Sequence, residues 1–266
     1  MFFVRTIAGI VLLLLAFFFV NSGGILLLGI SMIISVIGTF ELYRVFKIED
    51  KIIGFTGYLS VIAYYLSTYL YGDKYHLFLF ALILMIMMTV YVFTFPQIKI
   101  DEVAKAFLGF IYVGVLMSFL YQTRKLSDGK FLAWLIFISS WGSDTCAYAV
   151  GSLMGKHKFA PVLSPKKSIE GAVGGVLGSA LLGFLFGSLL STRMREVSNP
   201  ALICALASAI GAVISQIGDL VASGIKRNYN VKDFGNLIPG HGGIIDRFDS
   251  MFFTAPAVFF AIKFLV

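Results

Sequence analysis

Leu77-Phe78-Leu79-Phe80-Ala81-Leu82-Ile83-Leu84-Met85-Ile86-Met87-Met88-Thr89-Val90-Tyr91-Val92 runs without a charge, a glycine or a proline. Residues 201–217 are nearly as apolar. An α-helix of about 20 such residues crosses the hydrocarbon core of a bilayer. A barrel strand would show short segments of alternating polarity instead. Neither run alternates, so the reading is an all-α, polytopic integral membrane protein with about nine transmembrane helices.

Composition supports this reading across the whole chain. Of 266 residues, 59% are hydrophobic and 13% charged, with a mean hydropathy of +0.92. A soluble domain carries about a quarter charged residues, so this chain is too poor in polar groups to cover a water-soluble core. Polar breaks separate candidate spans at 4–20, 25–43, 52–71, 75–95, 103–121, 131–151, 171–190, 201–221 and 249–266. Arg5 makes the first the weakest. Asn21-Ser22-Gly23-Gly24 and a further span follow it, and no signal-peptide cleavage pattern is seen, so it is expected to be retained. Cys146 and Cys204 sit in apolar segments without metal-ligand spacing and read as small packing residues.

The net charge of +7 reads as loop bias and attraction to anionic membrane lipids rather than as nucleic-acid binding. With the N-terminus inside, about twice as many of the 21 Lys and Arg residues fall on the cytosolic side as outside, so the C-terminus is expected outside. The loops after spans 6 and 8 then share the cytosol. Residues 1–125 read as a hydrophobic scaffold, and 126–266 as the half that carries a cytosol-facing site.

Asp144 and Asp219 stand inside candidate spans, where an ionisable group costs about 2.5–3.5 kcal/mol even on lenient insertion scales. Helical spacing puts Asp219, Ser223 and Lys226 on one face. Beyond them come Arg227, then His241 flanked by Gly240, Gly242 and Gly243, then Asp246, Arg247 and Asp249. Glycines around a polar residue suit close approach of backbone to a ligand. Asp246 and Asp249, three apart, open an apolar span. Carboxylates beside cations suit Mg²⁺ and phosphate, because this ion takes one or two carboxylates plus substrate phosphates. His241 is a candidate for binding or acid–base work. A second loop ends in Lys166, Lys167 and Ser168 before Glu170-Gly171, a phosphate seat at a helix N-terminus.

The run Ser223-x-Ile225-Lys226-Arg227-x4-Lys232-Asp233-x-Gly235-x2-Ile238-Pro239-x-His241-Gly242-Gly243-Ile244-x-Asp246-Arg247-Phe248-Asp249 closely resembles the signature of phosphatidate cytidylyltransferases, also called CDP-diacylglycerol synthases. Asp144-x2-Ala147-Tyr148 and Ser164-Pro165-Lys166-Lys167-Ser168-x-Glu170-Gly171 resemble the same family, which has Thr as often as Ser at position 168. The specific resemblance covers roughly residues 140–250.

The resemblance implies transfer of CMP from CTP to phosphatidic acid, giving CDP-diacylglycerol and pyrophosphate, in the cell's inner (cytoplasmic) membrane. It also implies that Asp219 and Asp246 hold the catalytic Mg²⁺, a second cation remaining an open alternative. Phosphate attacking phosphorus needs charge neutralisation and alignment more than a general base, which moves His241 toward positioning. Lys167, Lys226, Arg227 and Arg247 are then expected to grip triphosphate and lipid headgroup. Asp144 and Asp249 would support the metal or orient those cations. A related CTP-using transferase acting on an isoprenoid lipid stays open as an alternative. An ion-coupled transporter should show related polar breaks in both halves, and here they fall in the second. The sequence is silent on oligomeric state, and a homodimer is one assembly the resemblance allows.

Overall fold

Apolar segments that must satisfy their backbone groups without water can do so within a helix. The computed structural model follows that rule. It describes residues 2–238, 240 and 242–266, with side chains from residue 6 onward. Nine helical segments are described: α1 (Phe2–Ser22), α2 (Gly24–Phe46), α3 (Ile52–Tyr71), α4 (His76–Thr94), α5 (Ile100–Arg124), α6 (129–154), α7 (Ile169–Leu189), α8 (Pro200–Asn228) and α9 (Ile245–Leu265). Among the described residues, α2, α4, α5, α7, α8 and α9 are long and apolar enough to cross a membrane, and Thr6–Ser22 is a shorter apolar stretch. The chain is an all-α polytopic membrane protein.

Helix α3 is less apolar because it carries five tyrosines. Helix α6 is assembled from pieces. Gly129–Leu132 and Trp134–Phe137 lead into a π-turn at Ile138–Gly142, and Ser143–Met154 completes it. Between α6 and α7 lies a two-stranded antiparallel hairpin, β1 (Lys158–Ala160) and β2 (Ser164–Ser168), pairing Lys158 with Ser168 and Ala160 with Ser164. The sequence reading had only a loop there.

Chain contacts define two compact units built of interleaved segments. The first comprises Met1–Leu15, Ile25–Ser118 and Val231–Arg247, and the second Ala16–Gly24, Phe119–Asn230 and Phe248–Val266. In the first, buried tyrosines form the centre. Gly57 and Gly109 lie against the Tyr43 ring, and Ser35 and Tyr65 share a hydrogen bond of 2.8 Å. Aromatic rings supply large contact area, and their hydroxyls find partners when buried. On α4 the side chains point mostly outward, with Leu77 and Phe93 each 83% exposed. In lipid such exposure is solvation, since the tails are as apolar as the side chains.

In the second unit α7 supplies the close packing. Gly171, Gly175, Ser179, Gly183 and Gly187 recur every fourth residue and are all buried. Small residues at this spacing let helix backbones approach closely in membranes. Gly175 lies against Ser143 and Ala147 of α6, while Gly183 lies against Cys204 and Ser208 of α8. The Ser179 hydroxyl donates to the Ile138 carbonyl and the Ser208 carbonyl, 3.2 Å each. It thereby serves a carbonyl at the π-turn that introduces Asp144. Arg124 closes the C-terminal end of α1, donating to the carbonyls of Val20 (2.9 Å) and Asn21 (3.3 Å), where a cation is favoured.

Candidate active site

The α7 N-terminus is built by its own sequence. Ser168 has extended backbone, and its Oγ accepts from the Gly171 amide at 3.1 Å, the usual N-cap arrangement. Gly171 admits no Cβ, because one would meet the Ala147 carbonyl and the Ser168 hydroxyl. Glu170 accepts from the Lys156 amide at 3.1 Å and the His157 amide at 3.2 Å, and its Oε1 pairs with His157 Nδ1 at 2.6 Å. Glu170 and His157 therefore tie the start of the hairpin to the start of α7. The Ser-x-Glu-Gly pattern is explained by this closure.

The closure aims the lysines. Lys166 is exposed, while Lys167 forms an ion pair with Asp219 of α8, both side chains partly buried. A cleft of about 400 Å³ opens beside them, lined by Asp144, Tyr148, Lys166, Lys167, Ser168, Gln216 and Asp219 among others. Lys167 and Asp219 lie within electrostatic reach of Asp144, and Asp219, Lys226 and Asp144 within reach of Asp249. Gln216 donates from Nε2 to the Ala172 carbonyl at 2.9 Å, bracing α8 against α7 along the cleft. Sequence reasoning passed over Gln216 and had Tyr148 only as part of the family motif, with no role.

Helix α8 explains the placement of the next cations. Asn199 caps it by accepting from the Leu202 amide at 3.3 Å, with Pro200 in its first turn. Twenty-nine residues at about 1.5 Å each exceed the roughly 30 Å hydrocarbon core by a little over two turns. The last of these carry Ser223, Lys226 and Arg227. Arg227 is exposed, and Ser223 and Lys226 are partly so.

The remaining candidates belong to the first unit. Asp246 lies in the first turn of α9 and is 8% exposed. Its Oδ2 accepts from the Phe234 amide at 2.8 Å and the Gly243 amide at 2.9 Å. Ile238 and Gly242 form an antiparallel bridge, Ile238 N donating to Gly242 O at 2.9 Å. Gly242 has a φ of +86°, a conformation that glycine adopts without strain. A second cavity, about 570 Å³, is lined by Lys232, Asp233, Asn236, Ile238, Gly240, Gly242 and Arg247. The buried Nε of Arg247 has no hydrogen-bond partner among the described residues. Buried donors are costly to leave unpaired, and an anion would satisfy this one. His241 lies outside the described residues.

Comparison with known proteins decides the family. Residues 3–265 match the model described as "Cytidylyltransferase family". The chain belongs to this family. Cytidylyltransferase relatives include the phosphatidate cytidylyltransferase of Staphylococcus epidermidis, 33% identical over 95% of this chain and 96% of that protein. That of Bacillus subtilis is 34% identical over 84% of each chain. That of Staphylococcus aureus is 41% identical over 58% of this chain and 57% of its own length. Within this cytidylyltransferase, the Lys167–Asp219 pair, Asp144 and Asp249 lie in one unit, and Asp246 with Arg247 in the other.

A metal ion is implied by the chemistry of this family. Among the described residues no three of His, Cys, Asp and Glu gather closely enough to hold a metal by themselves. Hard carboxylate oxygens paired with lysine suit an ion that takes one or two carboxylates and completes its shell with water and phosphate, as Mg²⁺ does. The residues fit.

Proposed function

We propose that the chain is a CTP:phosphatidate cytidylyltransferase that makes CDP-diacylglycerol and pyrophosphate at the cytosolic face of the cell's inner membrane. The observation that carries this reading is the near-complete signature at 223–249 in a chain similar over almost its whole length to phosphatidate cytidylyltransferases. The lysine and arginine bias of the sequence supports an N-terminus inside, with both polar loops on the side where CTP is available.

In the reaction a phosphatidate oxygen forms a bond to the α-phosphorus of CTP as the bond from that phosphorus to the bridging β-phosphate oxygen breaks. Pyrophosphate leaves with the bonding electrons. Two anions must meet, so the residues chiefly neutralise charge and align the reactants. Lys167, Lys226, Arg227 and Arg247 grip the triphosphate and the lipid headgroup, with Lys166, Ser168 and Ser223 beside them. Backbone at Gly242 and Gly243 lets phosphate approach closely. Asp219 and Asp246 are assigned to Mg²⁺ from the signature, with Asp144 and Asp249 orienting the cations. Bound Mg²⁺ would act as a Lewis acid on the phosphate oxygens. A homodimer and a second cation are compatible with this scheme.

Purified protein given labelled CTP, Mg²⁺ and either phosphatidate or an isoprenoid lipid phosphate tests the substrate. Label entering lipid with phosphatidate supports the proposal. Label entering only with the isoprenoid overturns it.

A further inference from the structure

Helix α2 lies in the half of the chain that reads as scaffold, yet its C-terminal turns carry two charged side chains aimed at the signature loop. Glu41 is 3% exposed. Its two carboxylate oxygens accept from the backbone amides of Ile244 and Ile245, 3.0 Å each. Those are the first amide of α9 and the one just before it, donors at a helix start that have no partner within the helix. Arg44, one turn on, donates from Nη2 to the Phe234 carbonyl at 2.8 Å. The Phe234 amide in turn donates to Asp246. Residue 234 is therefore held through both of its backbone groups.

Two glycines of the signature owe their identity to the same carboxylate. A Cβ at Gly235 or at Gly243 would run into Glu41. The segment leaving α8 and the segment entering α9 thus close on one buried group. A buried carboxylate is costly unless hydrogen-bonded, and here the loop backbone supplies the bonds.

We propose that Glu41, assisted by Arg44, is a positioning residue for the cytidylyl-transfer site: the two side chains hold Phe234, Ile244 and Ile245 and so set where Asp246 and Arg247 stand. Neither side chain touches substrate in this account. Glu41 acts through the Ile244 and Ile245 amides and Arg44 through the Phe234 carbonyl. The inference rests on the assignment of Asp246 and Arg247 to the reaction.

The test compares full-length wild type with Glu41→Gln and with Arg44→Met in lipid nanodiscs. Glu41→Gln keeps shape and burial but turns one acceptor into an NH₂ facing an amide N–H. Arg44 is exposed, so Arg44→Met preserves the fold and decides the matter should Glu41→Gln fail to assemble. Hydrogen exchange over 231–247 without substrate should rise about tenfold, loosened locally. KM for CTP should rise and kcat fall, together lowering kcat/KM about a hundredfold for Glu41→Gln. A merely structural role would reduce the active fraction and leave KM for CTP unchanged. Wild-type exchange over 231–247, or faster exchange with unchanged KM for CTP, would overturn the clamp. Normal turnover by Asp246→Asn would instead remove the assignment on which it rests, leaving the exchange result standing.

Discussion

Lys167, at the end of a hairpin, and Asp219, fifty-two positions later on α8 (219 − 167 = 52), form one ion pair at the edge of a cleft that Asp144 also lines. A lysine that far along the chain reaches its partner because Ser168 caps α7 and Gly171 lets α7 lie against α6. The pair places a cation beside two carboxylates, Asp219 and Asp144, an arrangement able to exchange internal charge for substrate phosphate.

Lys167→Ala should therefore lower kcat/KM for CTP by about a hundredfold, as expected for loss of one charge-stabilising group. Steady-state transfer of label from CTP measures it. Activity within a few-fold of wild type would take Lys167 out of the site.

Asp246→Asn should abolish turnover while the protein stays folded, since one side-chain oxygen remains to accept the Gly243 and Phe234 amides. Label transfer and a thermal melt in detergent, run on the same sample, check both halves of this expectation.

Chelation with EDTA should stop transfer, and added Mg²⁺ should restore it. Full activity in excess chelator would contradict the assignment of carboxylates to a metal.

Gly183→Leu should destabilise the bundle by about 1–3 kcal/mol, the usual cost of overpacking, because a Cβ there would meet Ser208 and the Cys204 carbonyl. Ser168→Ala should cost about 1 kcal/mol for loss of the N-cap, whereas Ser168→Thr should be nearly neutral. Melting temperatures in detergent order the three variants.

Much of the architecture was legible because membrane solvation leaves long apolar runs in the sequence, as at 77–92. Asp144, Lys167 and Asp219 were legible for the complementary reason that charge near the bilayer is expensive. The π-turn at Ile138–Gly142 was not, because its one glycine does not distinguish it from the regular helix α7, which carries several. The hairpin was hidden by its shortness. Glu41 was missed because one carboxylate near the end of an apolar run looks like a connecting charge. Its partners, the amides of Ile244 and Ile245, lie two hundred residues away and have no side-chain signal at all.

The most direct test of nucleotidyl transfer uses CTP labelled separately at the α- and γ-phosphates, with phosphatidate as acceptor. The account predicts α-label in the lipid, with γ-label released as pyrophosphate in equal amount. γ-Label in the lipid would mean phosphoryl transfer and would contradict it.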